Sequence, residues 1–434
     1  VAALVLALAA GGVIVTTHYL TGRGGATLTS KSSRHHDSGN AKDRQLGPDV
    51  RLQVISISPS NGRAGVAFDA AVIVRFSTNL AAHTALPKLD PPVPGHWSRV
   101  DRKTLEFTPS GFFVPYAKES VNVPATTTSA RGTSLGRRVT SAFRVKGPSV
   151  LRLQELLAEL GYLPLSFTPT GQGAVSANSV TTRPAATSAI PGPPCSCAGG
   201  LGADATAPLA SLIQEGVATS MSAAPTAPPP VVTEPRDPYK IDLAPRPGVF
   251  RWRFGDIPPS LAGLWATGQP NEITTGAVME FEDEAGLAVD GSAGPQVWKA
   301  LLRAVAERHV YTASYNYVFV SEGSPEYVTL WRDGTYVFRT LANTGIPVSP
   351  TAAGTWPVFA RYIVTTMSGT NPDGTHYSDP GIPWTSYFHG GDALHGFIRS
   401  GYGWPQSLGC VEMPFEAAHA VFPYTPLGTL VTVE

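Results

Sequence analysis

The chain has 434 residues, 32 basic and 32 acidic side chains, and a formal charge of zero. That length predicts two to four domains, and the neutral balance argues against nucleic acid as a partner of the whole chain. Forty prolines and forty-four glycines beside only 15% charged residues point to loop-rich β modules joined by low-complexity linkers, and three cysteines are too few for a disulfide scaffold.

Residues 1–20 open on an almost unbroken Ala/Leu/Val/Ile/Gly run, read as a signal peptide or membrane anchor, and 21–49 form a polar linker. Either reading places the remainder outside the cytoplasm: secreted or membrane-anchored, on the cell-wall or periplasmic side. From Val50 to Lys146 short alternating runs such as Ala71–Phe76, Thr104–Phe107 and Ser141–Val145 are parted by Pro/Gly/Asn turns, the signature of a β-sandwich over 50–147. No catalytic constellation is visible there, and a spacer role is expected.

The period then changes. Val150, Leu153, Leu156, Leu157 and Leu160 share one helical face, and Gly161 ends the helix. Over Pro169–Pro247 fourteen prolines accompany a single aromatic, Tyr239, so 168–249 is expected to be a disordered insertion. It holds a short weak helix near Leu209–Val217 and the Cys195-Ser196-Cys197 tract, read as incidental because no further metal ligands lie nearby. Helical pattern resumes at Ile273, and Pro295 opens a last helix with Val297, Trp298, Leu301, Leu302 and Val305 inward. From Val310 the chain reads as strands again, with an Asp333-Gly334 hairpin signal and one helix starting near Pro414.

Cys410 is the residue with most chemical promise. A thiol becomes a nucleophile when a base lies beside it, and His395, fifteen positions earlier, is the candidate base. Gly409 lets the backbone approach a substrate and offers an N–H to a developing oxyanion. His389 is the rival base; His376 and His419 read as ordinary surface or core histidines. Trp384, Tyr387, Tyr402 and Trp404 are candidates to line a groove, although aromatics in a small β domain more often pack.

Three resemblances organise these readings. The opening "SPSNGRAGVAFDAAVIVRFS" resembles bacterial Ig-like modules. The segments "VLRLQELLAELGYL" and "TTGAVMEFEDEAGLAVDGSAGPQVWKALL" resemble the two halves of a peptidoglycan-binding three-helix domain, here 148–167 and 250–308, with Glu282 where that family usually has Gln. "NTGIPVSPTAAGTW", "LHGF" and "SLGCVEMP" resemble the YkuD-type L,D-transpeptidase catalytic domain, over 309–434.

The resemblance implies a multidomain, mainly β protein: an Ig-like sandwich, a split peptidoglycan-binding helical domain and a β-rich catalytic domain. It implies Cys410 as nucleophile, His395 as general base, the Gly409–Cys410 backbone as oxyanion donor and Ser407 at the family's Ser/Thr position. Arg399, Gly396, Tyr387 and Trp404 are the expected substrate-binding residues. The implied reaction is 3→3 cross-linking of peptidoglycan stem peptides through a cysteine thioester, without metal or organic cofactor. Partners would be stem peptides, glycan, carbapenem-type β-lactams and, through the N-terminal run, the bacterial membrane. Leu408 stands where the family writes His, and Glu412 where it commonly has Arg or Asn. The alternatives are an L,D-carboxypeptidase, with water as acceptor, and a non-catalytic wall-binding scaffold.

Overall fold

The computed structural model describes residues 51–170 and 236–434. The N-terminal run and linker, the weak helix near Leu209 and the Cys195/Cys197 tract lie outside the described residues.

Seven strands build the first module: β1 (Val54–Ser58), β2 (Val72–Phe76), β3 (Lys88–Asp90), β4 (Gly95–Asp101), β5 (Thr104–Pro109), β6 (Lys118–Val123) and β7 (Val139–Arg144). They pair as two sheets, β1-β2-β5-β4 and β3-β6-β7. Alternate residues Val72, Val74, Phe76, Leu105 and Phe107 of one sheet share an apolar core with Val121, Val123 and Phe143 of the other. Strands β3 and β4 escaped the sequence reading because nearly all their side chains are exposed, so neither carries an apolar alternation.

The second module begins with α1 (Val150–Leu160). Ser149 Oγ accepts the Arg152 N–H at its start, and Gly161, at φ +92°, closes it in a conformation that costs a side-chain-bearing residue. Next, β8 (Leu165–Pro169) pairs antiparallel with β9 (Gly248–Trp252), so the two ends of the inserted segment meet at Thr170 N–H and Pro247 O, 2.8 Å apart. The second half therefore starts well before residue 250. Ile241 and Leu243 are buried, and the Arg246 N–H donates to Glu155 Oε1 at 2.9 Å. Two apolar residues in a proline-rich run give no period, which is why this stretch looked like linker. Three helices follow: α2 (Pro259–Ala262), α3 (Glu272–Glu284) and α4 (Pro295–Glu307). Leu156, Leu157 and Leu160 of α1 meet Ile273, Val278, Phe281, Trp298 and Leu301 in one core.

The third module contains β10 (Asn316–Ser321), β11 (Tyr327–Arg332), β12 (Thr335–Leu341), β13 (Gly354–Pro357), β14 (Ala360–Thr370), β15 (His376–His389), β16 (Asp392–Gly396), β17 (Val411–Met413), α5 (Phe415–Val421) and β18 (Leu430–Val433). Asp333 and Gly334 both have positive φ, the geometry a two-residue hairpin needs between β11 and β12. One sheet runs β12-β11-β10-β18-β13, the other β14-β15-β16-β17. Val318, Val320, Val328, Leu330, Val431 and Val433 of the first share a core with Phe388, Leu394, Val411 and Met413 of the second and with α5.

The helical module covers the outer face of the five-stranded sheet. Tyr317 and Trp331 belong to its core, with the Tyr317 hydroxyl 2.7 Å from Ser260 Oγ and Trp331 Nε1 donating to Asp256 O at 3.0 Å. Gly276 of α3 lies against Gly428 so closely that a Cβ on either would stand within 2.4 Å of the other's carbonyl oxygen. Among the described residues, no helix is long and apolar enough to cross a membrane.

Candidate active site

Strands β16 and β17 run parallel, with Leu394 opposite Val411 and His395 opposite Glu412. Side chains alternate between faces, so Leu394 and Val411 enter the core while His395 and Glu412 point the other way. Cys410, two residues before Glu412, shares that second face. Cys410, His395, Glu412, Arg399, Ser407 and Tyr387 all line one cavity of about 630 Å³, roofed by Thr366, Met367, Tyr377 and Asp379 of the long β14–β15 hairpin.

His395 is buried and its Nδ1 lies 3.0 Å from Gly396 O. A carbonyl only accepts, so Nδ1 carries the proton and Nε2 keeps a free lone pair. Burial lowers the imidazole's pKa from its ordinary 6.5, with Arg399 adding to that and the Gly396 carbonyl and Glu412 opposing it. The ring is therefore a neutral base near pH 7.

The Cys410 side chain is partly open to the cavity, yet its sulfur sits deep enough that burial pushes the thiol up to about 12. The charges of Asp392 and Glu412 push the same way, and only the Ala393 N–H favours the thiolate. At rest the thiol is protonated and donates to Gly391 O over 3.6 Å. The cavity thus holds a neutral thiol and a neutral imidazole, protonation states that suit proton transfer during attack rather than a preformed ion pair.

The nucleophile's loop is held from several sides. Ser407 Oγ donates to Cys410 O at 2.5 Å and accepts the Gly409 N–H at 3.2 Å. Ser349 Oγ donates to Leu408 O at 3.0 Å, so the position where the resembled family has a histidine contributes its carbonyl rather than a side chain. Gly409 has φ +120°, and a Cβ there would meet Asp392 Oδ1 at 2.4 Å. The backbone 343–345 runs alongside: Asn343 and Glu412 exchange two backbone bonds of 2.9 Å, and the Ile346 N–H donates to Ser407 O at 2.9 Å.

Arg399 lines the cavity but is not free. Its Nε and one terminal nitrogen each lie 2.7 Å from a Glu412 oxygen, a bidentate pair, and a further bond of 3.3 Å goes to Gln406 O. Gly396 serves the site through its carbonyl, while its Cα packs against Phe415 and Pro383. Trp404 lies over Gly401, outside the lining of this cavity. Tyr402 ties its loop by donating to Phe397 O at 2.5 Å, and Trp384 packs on Phe415 and His419. His389 stacks on Trp356 at 4.2 Å and also stands outside the lining. His376 contacts Thr370 near the tip of the β14–β15 hairpin. Sequence reading missed Asp392, Tyr377 and Asp379 because none sits in a recognisable motif. Among the described residues no three His, Cys, Asp or Glu side chains converge as metal ligands.

Comparison with known proteins agrees segment by segment. Residues 315–433 match the family model of the L,D-transpeptidase catalytic domain, 48–145 that of a bacterial Ig-like domain, and 262–301 that of a putative peptidoglycan-binding domain. No curated protein matches the chain. Among solved structures, an L,D-transpeptidase from Mycobacterium smegmatis is 11% identical over 88% of this chain and 99% of that one, with a TM-score of 0.26. L,D-transpeptidase 3 from Mycobacterium tuberculosis in complex with a faropenem-derived adduct is 11% identical over 88% and 97%, TM-score 0.25. The catalytic domain of the E. faecium L,D-transpeptidase is 26% identical over 29% of this chain and all of that one, TM-score 0.26. The chain carries a bacterial Ig-like domain, a peptidoglycan-binding domain and, around Cys410 and His395, an L,D-transpeptidase catalytic domain.

Proposed function

We propose that this protein is a cell-wall L,D-transpeptidase that forms 3→3 cross-links through a thioester on Cys410. The observation that carries the reading is the shared cavity of a thiol and a buried imidazole whose Nδ1 is committed to Gly396 O, leaving Nε2 to accept a proton. As the Cys410 sulfur attacks the carbonyl of the third stem residue, its proton passes to His395 Nε2. Collapse of the tetrahedral adduct expels the terminal D-alanine amine, which takes that proton back. The side-chain amine of a second stem then attacks the thioester, His395 again receives a proton, and the thiol is regenerated.

The oxyanion would be met by backbone N–H groups of Gly409 and Cys410; Gly409 must then turn its N–H from Ser407 Oγ, 3.2 Å away at rest. Tyr387 and the β14–β15 hairpin would flank the stem peptide. Arg399 would support Glu412 rather than receive a substrate carboxylate, because its planar fork is already filled. Domain limits of 50–147, 148–167 with the later helices, and 309–434 fit these roles. The Ig-like module would act as spacer, the helical module as a hold on the polymer, and the protein would work outside the cytoplasm.

A second reading, a wall-binding scaffold, is favoured by one observation: the Cys410 thiol is held protonated beside Leu408. Incubation with a carbapenem, whose strained carbonyl acylates reactive thiols, separates the two. An adduct on Cys410 in the folded protein supports the enzyme, and none supports the scaffold. Product analysis with an acceptor amine present then tells transpeptidation, which yields dimers, from hydrolysis, which yields only tripeptide.

A further inference from the structure

We propose that Asp392 is the positioning residue of the nucleophile: its carboxylate, pressed against Gly409, sets the Gly409–Cys410 turn and holds a negative charge against the thiol's side of the cavity until a substrate arrives. This rests on Cys410 being the reactive group.

Three consecutive residues cradle the sulfur. Gly391 O accepts the thiol's hydrogen bond over 3.6 Å, the Ala393 N–H also meets the sulfur, and Asp392 lies between them in the chain. The carboxylate is anchored rather than loose. Its Oδ2 accepts the Ala352 N–H at 3.0 Å and stands 3.7 Å from His389 Nδ1, while its Oδ1 occupies the space that any side chain at position 409 would need. Gly409 at φ +120° is thus explained twice, by backbone conformation and by the oxygen pressed against it.

A fixed negative charge beside a thiol disfavours the thiolate. The groups around Cys410 are Asp392 and His395 on β16, Glu412 on β17, Tyr377, Asp379 and Tyr387 on β15, and Arg399 on the following loop. Arg399 is matched by Glu412 in a bidentate pair. Asp392, with His389 only at 3.7 Å, is the less neutralised of the two carboxylates acting on the thiol. With a neutral polar side chain at 392 the thiol would ionise more readily and react with any small electrophile; with Asp392 in place, reaction waits for His395 to take the proton in the substrate complex.

The test is the pH profile of Cys410 alkylation by iodoacetamide in the full chain, followed by intact mass with Cys195 and Cys197 replaced by serine. Asp392→Asn keeps an oxygen for the Ala352 N–H and removes the charge. Its profile should move to lower pH by about one unit, so that alkylation at pH 8 is on the order of tenfold faster. Asp373→Asn, on the exposed tip of the β14–β15 hairpin, should leave the profile where it was. Superimposable profiles for wild type and Asp392→Asn overturn the proposal, even if the variant melts earlier, because that result assigns Asp392 a packing role alone. Equal shifts in both variants also overturn it, as an effect of net charge. The readout needs no stem peptide, so loss of transpeptidase activity and loss of this assignment are separate results.

Discussion

Two buried polar side chains of the helical module, Gln154 and Glu282, contrast with Cys410 and His395 in the catalytic cavity. In the helical module Gln154 shares its two amide N–H groups among Ala266 O, Gln269 O and Thr274 Oγ1, each at 3.1 Å, and accepts the Gly268 N–H at 2.7 Å. Glu282 Oε2 receives the N–H groups of Asp290 and Gly291 at 2.9 and 2.8 Å. Both groups close turns. In the cavity His395 has one bonded nitrogen, and the Cys410 sulfur has one long contact to a carbonyl and the Ala393 N–H beside it. Burial with every partner supplied specifies a fold, whereas burial with capacity left over, facing a cavity, supplies chemistry.

That contrast is broken most sharply by removing the cavity pair. Cys410→Ala should lower acyl-enzyme formation by at least roughly 10³-fold, and His395→Gln by about 10²–10⁴-fold, with melting temperatures close to wild type. Activity and thermal melts of the same preparations check this. Stable but inactive variants keep the contrast; variants that unfold would make the pair structural.

Substitutions in the helical module should do the reverse. Gln154→Leu strands the Gly268 N–H, while Asn271 Nδ2 still serves the carbonyls of Ala266 and Gln269, and should cost about 1–3 kcal/mol in denaturant unfolding while leaving the rate of Cys410 acylation within about twofold. Arg399→Ala sits between the two cases. It leaves the buried Glu412 carboxylate unpaired, for a loss of about 2 kcal/mol after allowing for the arginine's partial exposure. Adding Glu412→Ala should restore part of that loss. Glu282→Gln makes the smallest change, about 1 kcal/mol or less, because an amide oxygen still accepts both backbone N–H groups.

The pH dependence sharpens the same comparison. His395 must be neutral to act as base, and burial lowers its pKa from 6.5, so acylation should hold as pH falls to that value and fail only below it. The thiol, pushed up to about 12, gives no alkaline limb before that pH. Stability follows the opposite limb. A folded-state thiol pKa raised from 9.0 contributes stability that is full below 9.0 and is lost as pH rises towards about 12. Rate and melt profiles in the same buffers separate the two effects.

Much of this was legible in the chain. Gly161 after a leucine stripe, Pro295 before one, and Asp333-Gly334 between alternating runs each report a local conformation, and local conformation is what neighbouring residues encode. The candidate nucleophile and base were legible as motifs. What was not legible is set by distant partners. The burial of Ile241 and Leu243 depends on helices formed elsewhere, and the Arg399–Glu412 fork joins residues thirteen apart across a loop. Asp392 gains its meaning from Gly409, Ala352 and Cys410, none of which adjoins it in sequence. Arg399 read as a substrate-binding residue because nothing in the sequence pairs it with Glu412.

The central claim is that the Cys410 sulfur, deprotonated by His395, forms an acyl-enzyme with a stem peptide. Intact mass of the folded protein after incubation with a disaccharide-tetrapeptide tests it most directly. Wild-type protein should gain the mass of the substrate less D-alanine, mapped to Cys410, and Cys410→Ala and His395→Gln should not. A folded wild-type protein that never acquires that mass, or acquires it equally in His395→Gln, would contradict it.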